Sequence, residues 1–206
     1  MIKNLVLEQS LLVGSAQGAL FVVSAVSGLA AVGAMRAIQA LFAPVTALNV
    51  GLRMAAVPAA AGEHARSNER FYGPLLFSGI VACLVTAIFG IALYGLPDAL
   101  GRRILDTNWE DAQPLSLSTA LWLAAGFMSV PAMAALRIIG RLRAASIIRG
   151  VALPTTLGCA ALGAHLDGAL GATNLLALNA VLVTLSTWWV FSRTHGTHGR
   201  GQNIAG

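Results

Sequence analysis

Charge is what this chain has least of: of 206 residues only 10% are Asp, Glu, Lys or Arg. A soluble domain of this size carries about 25% charged residues on its surface, so water is excluded as the main solvent of most of this chain. Cysteine is scarce as well. Cys83 and Cys159 both fall inside apolar runs, too few and too deep for a disulfide framework, and read as small core residues. Acids are missing where ion-coupled chemistry would need them. No carboxylate lies deep in any apolar run, Glu8 being the nearest, whereas a proton or sodium relay within a membrane usually needs Asp, Glu or His there. The chain also lacks HExxH, GxSxG and P-loop signatures, and no apolar run pairs a histidine with a carboxylate. Only His165 with Asp167, and the group Asp106, Glu110 and Asp111, offer residues for acid–base or metal chemistry, and solvated loop charges describe both better. The sequence therefore predicts no enzyme, no bound metal and no cofactor.

What is present is apolar length. Hydrophobic residues make up 57% of the chain and its mean hydropathy is +0.76. Windows free of Asp, Glu, Lys and Arg run over Gln9–Met35, Ala37–Leu52 with its continuation Met54–Gly62, Phe71–Pro97, Ala112–Leu136, Gly150–Leu166 and Gly168–Ser192. A hydrocarbon core about 30 Å thick needs about 20 helical residues, and only the second and fifth windows borrow flanking residues to reach that length. The prediction is an all-α polytopic membrane protein of about six transmembrane helices, at about 9–31, 34–61, 72–96, 113–136, 145–166 and 168–192. These form one domain over 1–193, because the longest hydrophilic stretch between spans, near Pro97–Gln113, is too short to hold a core. The first run is too long for a signal-peptide core and reads as an uncleaved helix. Residues 194–206, glycine-rich with His195 and His198, read as a disordered tail.

Orientation follows from arginine. Ten of the thirteen basic residues fall in one alternate set of segments: Lys3; Arg53, Arg66 and Arg70; Arg137, Arg141, Arg143 and Arg149; Arg193 and Arg200. Arg102 and Arg103 occupy the opposite set, so both termini are expected in the cytoplasm. Asp98, Asp106, Glu110, Asp111 and Asp167 collect on the opposite side, which adds little because acids orient weakly. Basic residues dispersed over loops are no nucleic-acid footprint, which would cluster with aromatics on one soluble face. Twelve arginines against one lysine suit a GC-rich bacterial gene, and the bacterial plasma membrane is the expected location.

The second span carries the densest functional pattern. At about 100° per residue from Arg36, the side chains of Gln39, Thr46, Asn49 and Arg53 fall between about 220° and 300°, on one side of the helix. Arg36 and Arg53 sit near its ends, where they can snorkel, leaving Gln39, Thr46 and Asn49 as the core of the stripe. Two readings stand side by side. The stripe bonds to neighbouring helices, with Gln17, Asn174 and Asn179 as partners, or it lines a pathway for a polar or anionic substrate whose phosphate the arginines attract. Gly14 and Gly18 add a small-xxx-small pair, and Pro44, Pro131 and Pro154 are expected to bend the second, fourth and fifth spans.

Several segments resemble the C-terminal six-helix lobe of polysaccharide and lipid-linked oligosaccharide flippases of the MOP superfamily, relatives of the MATE exporters. The resemblance is carried by Leu-Leu-Val-Gly at 11–14, Ala-Ala-Val-Gly-Ala-Met-Arg-Ala-Ile-Gln at 30–39, Leu-Phe-Ala-Pro-Val-Thr-Ala-Leu at 41–48 and Gly-Leu-Arg at 51–53. The acidic segment Leu-Asp-Thr-Asn-Trp-Glu-Asp-Ala-Gln-Pro-Leu at 105–115 and the arginine-rich Arg-Ile-Ile-Gly-Arg-Leu-Arg-Ala-Ala-Ser at 137–146 extend it, from about Leu5 to Arg193. It implies a transporter with two six-helix lobes around a central cavity, alternating access to move an anionic lipid-linked sugar. Arg36, Gln39, Thr46, Asn49 and Arg53 would face that cavity, with Gln17 and Arg137 behind them. The chain departs from the pattern by providing one lobe: it is a truncated or split product, or it pairs with a second lobe as a homodimer or with another chain. A non-transporting scaffold and a permease subunit are the alternatives.

Overall fold

The computed structural model describes residues 2–66 and 72–202 and is helical throughout, with no strand among the described residues. Its helices are α1 (Ile2–Leu41), α2 (Ala43–Ala65), α3 (Gly73–Tyr94), α4 (Asp98–Leu105), α5 (Trp109–Ala112), α6 (Ser116–Ile138) and α7 (Leu142–Gln202). Single 3₁₀ turns at Asp106–Asn108 and Gln113–Leu115 flank α5. Five stretches are long and apolar enough to cross a membrane: Gln17–Leu41, Ala43–Ala65, Gly73–Tyr94, Asp98–Ile138 and Arg143–Arg193. This is an all-α architecture of membrane-protein character.

Two of the long helices are bent back on themselves. In α1 the Arg36 guanidinium donates from Nη2 to Gln17 Oε1 at 2.9 Å. A straight helix would hold residues nineteen apart at about 28 Å, so the chain must reverse between them. It does so at Gly28, whose φ of 83° lies where a Cβ is disfavoured. In α7 the backbone leaves the helical region at Asp167 and Gly168. Around that break Gly163 and Gly171 meet so closely that a side chain on either would collide with the other's carbonyl. Farther along, Asn179 Nδ2 donates to Thr156 Oγ1 at 3.0 Å. Both pairs are centred on 167, as an antiparallel hairpin requires.

The first reversal differs from the sequence expectation, which placed the break near 32–33. Hydropathy is continuous through Gly28, so composition could not mark a turn set by backbone conformation. The second arm of α1 then runs almost unbroken into α2. The amide of Phe42 bonds the carbonyls of Ile38 and Gln39, and the amide of Thr46 bonds that of Phe42. Pro44 stands in the first turn of α2, where its missing N–H costs nothing. At the other terminus α7 continues as helix to Gln202, past residue 194, where glycine content points to a disordered tail. Residues 203–206 and Arg70 lie outside the described residues.

Cross-contacts fix the directions of the arms. The first arm of α1 runs parallel to that of α7: Gly18 lies against Leu157, and Ser27 Oγ donates to Ala164 O at 2.7 Å. Helices α3 and α6 are antiparallel, with Gly79 against Pro131 and Gly90 against Ala120. The second arm of α7 runs parallel to α6, Thr184 Oγ1 bonding Ala125 O at 2.7 Å and Trp188 Nε1 bonding Met128 O at 2.9 Å. The reversals at Gly28 and Asp167–Gly168 and the α3–α6 connection therefore share one end of the bundle. The α2–α3 and α6–α7 connections share the other. The first end holds Asp98, Asp106, Glu110, Asp111 and Asp167; the second holds Arg66, Arg137, Arg141 and Arg143.

Helix α6 is the centre of the packing. Fourteen of its residues are buried, nearly all Ala, Ser or Thr with Phe127, Met133 and Leu136. Small residues let helix backbones approach closely where apolar solvent gives no hydrophobic drive. By contrast α2 buries only Val45, Asn49, Ala56 and Ala60 and stands at the edge against α3. The outward faces carry Phe21, Leu29, Met54, Phe77, Ile88, Ile91 and Leu185, all more than half exposed, the surface that suits hydrocarbon.

Candidate functional site

Of the five residues singled out by helical phase, Arg36, Thr46 and Arg53 are exposed, Gln39 is half-buried and Asn49 is buried; Gln17 and Arg137, which the resemblance sets behind them, fall beside different arginines of the five. Gln17 and Arg36 come together on the bundle surface and bond each other. Counted from the Gly28 reversal, they lie about 16 Å and 12 Å down the two arms, well inside the depth of a hydrocarbon core. Gln39 is half-buried one turn farther on. Thr46 is exposed, and its hydroxyl donates to the carbonyl of Phe42 at 3.1 Å, satisfied by its own helix.

Asn49 is turned inward. It is only 4% exposed and shares the inward face of α2 with Val45 and Ala56. Counted from Arg36 at about 100° per residue, Asn49 falls at about 220°, in the same sector as the buried Ile38, Phe42, Val45, Ala56 and Ala60, whereas Gln39, Thr46 and Arg53 fall at about 260–300°, beside it. Arg53 and Arg137 are both exposed and lie within electrostatic reach of each other at the arginine-rich end. The structure thus keeps two clusters, Gln17–Arg36 and Arg53–Arg137, about 25 Å apart along the second span.

A partly open cavity of mixed polar and apolar lining, which the sequence reading missed, lies between α1, α6 and the two arms of α7. It has a volume of about 200 Å³. Its walls follow helical spacing: Trp122, Gly126 and Ser129 on α6 (i, i+4, i+7), Arg149 and Thr156 on the first arm of α7 (i, i+7), Asn179 and Thr184 on the second arm, and Ser15 on α1. Arg149 is half-buried and stands about 10 Å inside α7, seven residues from its start. In the sequence it reads as the fourth arginine of a cytoplasmic run. The fifth span, at 145–166, already contains it; the signal for its place on the cavity wall is that Thr156 lies at the same helical phase.

Size and lining decide what the cavity can take. Drug-sized ligands need roughly 300–1,000 Å³, so a sugar chain on a lipid carrier is excluded from it. Its polar wall groups, among them Arg149, Thr156 and Asn179, suit small polar occupants such as water. At the acidic end a shallower cavity of about 330 Å³ runs between Ala30, Ala31 and Ala34 of α1, Ala169 and Leu170 of α7, and Glu110 and Asp111. Glu110 is bound there by Arg102. His165 and Asp167 are exposed beside the second reversal. Among the described residues no three His, Cys, Asp or Glu side chains gather into a metal-ligating group. Compared with known proteins, the chain matches no family model, no curated protein and no solved structure.

Proposed function

We propose that this chain is one lobe of a membrane transporter, with six spans formed by the two arms of α1 (the second continued by α2), α3, α6 and the two arms of α7. The arginine-rich end faces the cytoplasm of a bacterial cell, with both termini on that side. A second six-helix lobe, on another copy or another chain, packs against the edge where α1 and α2 are uncovered. The substrate passes between the lobes and is an amphiphile with an anionic head group, of which a lipid-linked polysaccharide precursor is the proposed example.

The observation that carries this reading is the exposed Gln17–Arg36 pair. An arginine near mid-membrane facing lipid costs roughly 2.5–3.5 kcal/mol on insertion scales, so such residues face protein or water. Within this lobe Arg36 bonds Gln17 and is otherwise exposed, and a second lobe with a wet cavity between would cover the pair. The Arg53–Arg137 cluster gives that cavity a positive cytoplasmic mouth, suited to phosphate. The test is flipping of a pyrophosphate-linked lipid sugar by the chain, with any copurifying partner, in proteoliposomes. An Arg36→Ala, Arg53→Ala double variant is expected to lose it, and wild-type flipping by that variant would overturn the assignment.

A scaffold reading has one observation of its own, that Asn49 is spent on the packing face of α2. It predicts that Gln39→Leu with Asn49→Leu alters assembly with a partner while no transport is found for either form.

A further inference from the structure

The connection between α3 and α6 is a built cap. Trp109 is fully buried, and its indole is stacked tightly on Gly101 in the middle of α4. Its Nε1 donates to Asp98 Oδ1 at 3.2 Å, and Arg102 bonds Glu110. Gln113 Nε2 donates to the carbonyls of Tyr94 and Leu96 at 3.2 and 3.3 Å, tying the far side of the cap to the end of α3. These contacts fix which way each flank of α4 faces. Taking Gly101 as the inward direction at about 100° per residue, Leu105 also points inward, and Asp98 and Arg102 lie on the flank toward Trp109 and Glu110. Leu100 and Ile104, one turn apart, form the opposite flank, 49% and 59% exposed. Arg103 points away from the bundle and is exposed.

We infer that α4 is an interfacial helix that lies on the membrane at the acidic end of the bundle, with Leu100 and Ile104 inserted among acyl chains and Arg103 on lipid phosphate. The inference rests on the reading that α3 and α6 cross the membrane. Three features select lipid as the occupant. The helices that α4 connects also carry exposed apolar residues toward this end, Ile88, Ile91 and Tyr94 on α3 and Leu117 and Leu121 on α6. Two side chains on an eight-residue helix present far less than the roughly 800 Å² per partner of a stable protein interface. An apolar flank beside a basic one is the pattern of helices lying in the headgroup region. Held by Trp109, α4 sets the depth of the whole bundle, as a float does.

The experiment places a nitroxide spin label at one cysteine at a time, Ile88→Cys, Leu100→Cys, Ile104→Cys or Arg103→Cys, in a Cys83→Ala, Cys159→Ala background. The protein is reconstituted in phosphatidylcholine vesicles containing phosphatidylglycerol. Collision rates with oxygen, which concentrates in lipid, and with a water-soluble nickel chelate report the surroundings. Labels at 88, 100 and 104 are expected to favour oxygen and the label at 103 to favour the chelate. Chelate-favouring labels at both 100 and 104, with 88 still in lipid, overturn the inference and leave the spanning assignment intact. A label at 88 that favours the chelate overturns both. Positions 100 and 104 check each other, and circular dichroism of each variant confirms that the helices are retained.

Discussion

Gly163 and Gly171 touch backbone to backbone across the reversal at Asp167–Gly168, and this contact makes a hairpin out of what the apolar pattern shows as one continuous helix. Neither position has room for a Cβ. Gly163→Val or Gly171→Val is expected to push the arms apart at a cost of about 1–3 kcal/mol. Ala160 and Ala164 would lose contact with the core they fill. Thermal unfolding in mild detergent checks this: either variant should melt several degrees lower, and Gly158→Ala, where a Cβ meets open space, should not.

The other reversal is set by conformation alone. A Cβ at Gly28 meets nothing, yet its φ of 83° is disfavoured for any side chain. Gly28→Ala is therefore expected to cost about 1–2 kcal/mol through the backbone. Gly33→Ala, equally open but regularly helical, should be neutral or gain up to about 1 kcal/mol. Melting temperatures that rank Gly28→Ala with Gly33→Ala would show that the chain does not reverse at residue 28.

These two glycines mark how far the sequence could be read. Apolar length gave the helical class and the membrane-protein character, and alternating arginine anticipated which connections share an end of the bundle. Gly28 was missed because a turn of one residue leaves no polar trace in an apolar run. Arg149 was counted with the cytoplasmic arginines although the fifth span, 145–166, contained it; its place on a cavity wall depends on which arms pack together, which one helix's pattern does not give. Asn49 shows the limit of reading a polar stripe, since its phase, about 220° from Arg36, already coincides with that of the buried Ile38, Phe42 and Val45, and its polar side chain masked its place on the packing face.

The hydrogen bonds from α7 to α6 are expected to hold the last arm in register. Thr184 Oγ1 reaches Ala125 O and Trp188 Nε1 reaches Met128 O, both on a helix whose own turns already use those carbonyls. Interhelical bonds of this kind are worth about 0.6 kcal/mol on average and at most about 1.7. Thr184→Val keeps shape and removes the interhelical bond together with the one its hydroxyl makes to Ala180 O; Trp188→Phe removes the other and replaces the indole that packs edge-to-face on Phe191 by a smaller ring. The second variant should be the less stable, and the double variant should depart from additivity by about 0.5 kcal/mol or more, since the two residues stand one turn apart and hold the same pair of helices.

Access of water to the cavity beside Arg149 is directly measurable. A thiol at Ser129, on the cavity wall, is expected to react with a small methanethiosulfonate reagent, in a background with Cys83 and Cys159 replaced. A reagent too bulky for about 200 Å³ should leave it unmodified. Ala132→Cys, on the same helix but fully buried against apolar neighbours, supplies the dry control. Equal reactivity at 129 and 132 would mean that the cavity does not admit water as described.

Sidedness is the last expectation, and it decides whether the charge pattern orients the bundle. Arg66 lies at the end of α2 and Arg103 on α4, at opposite ends by the contacts that fix arm direction. Both are exposed, so Arg66→Cys and Arg103→Cys leave packing intact. In sealed right-side-out membrane vesicles an impermeant thiol reagent should modify position 103 and spare position 66 until the membrane is opened. The reverse result would keep the bundle and invert it, with the acidic end in the cytoplasm against the arginine bias. Modification of both without opening the membrane would mean that the segments between them do not span it, and the six-span proposal would fall.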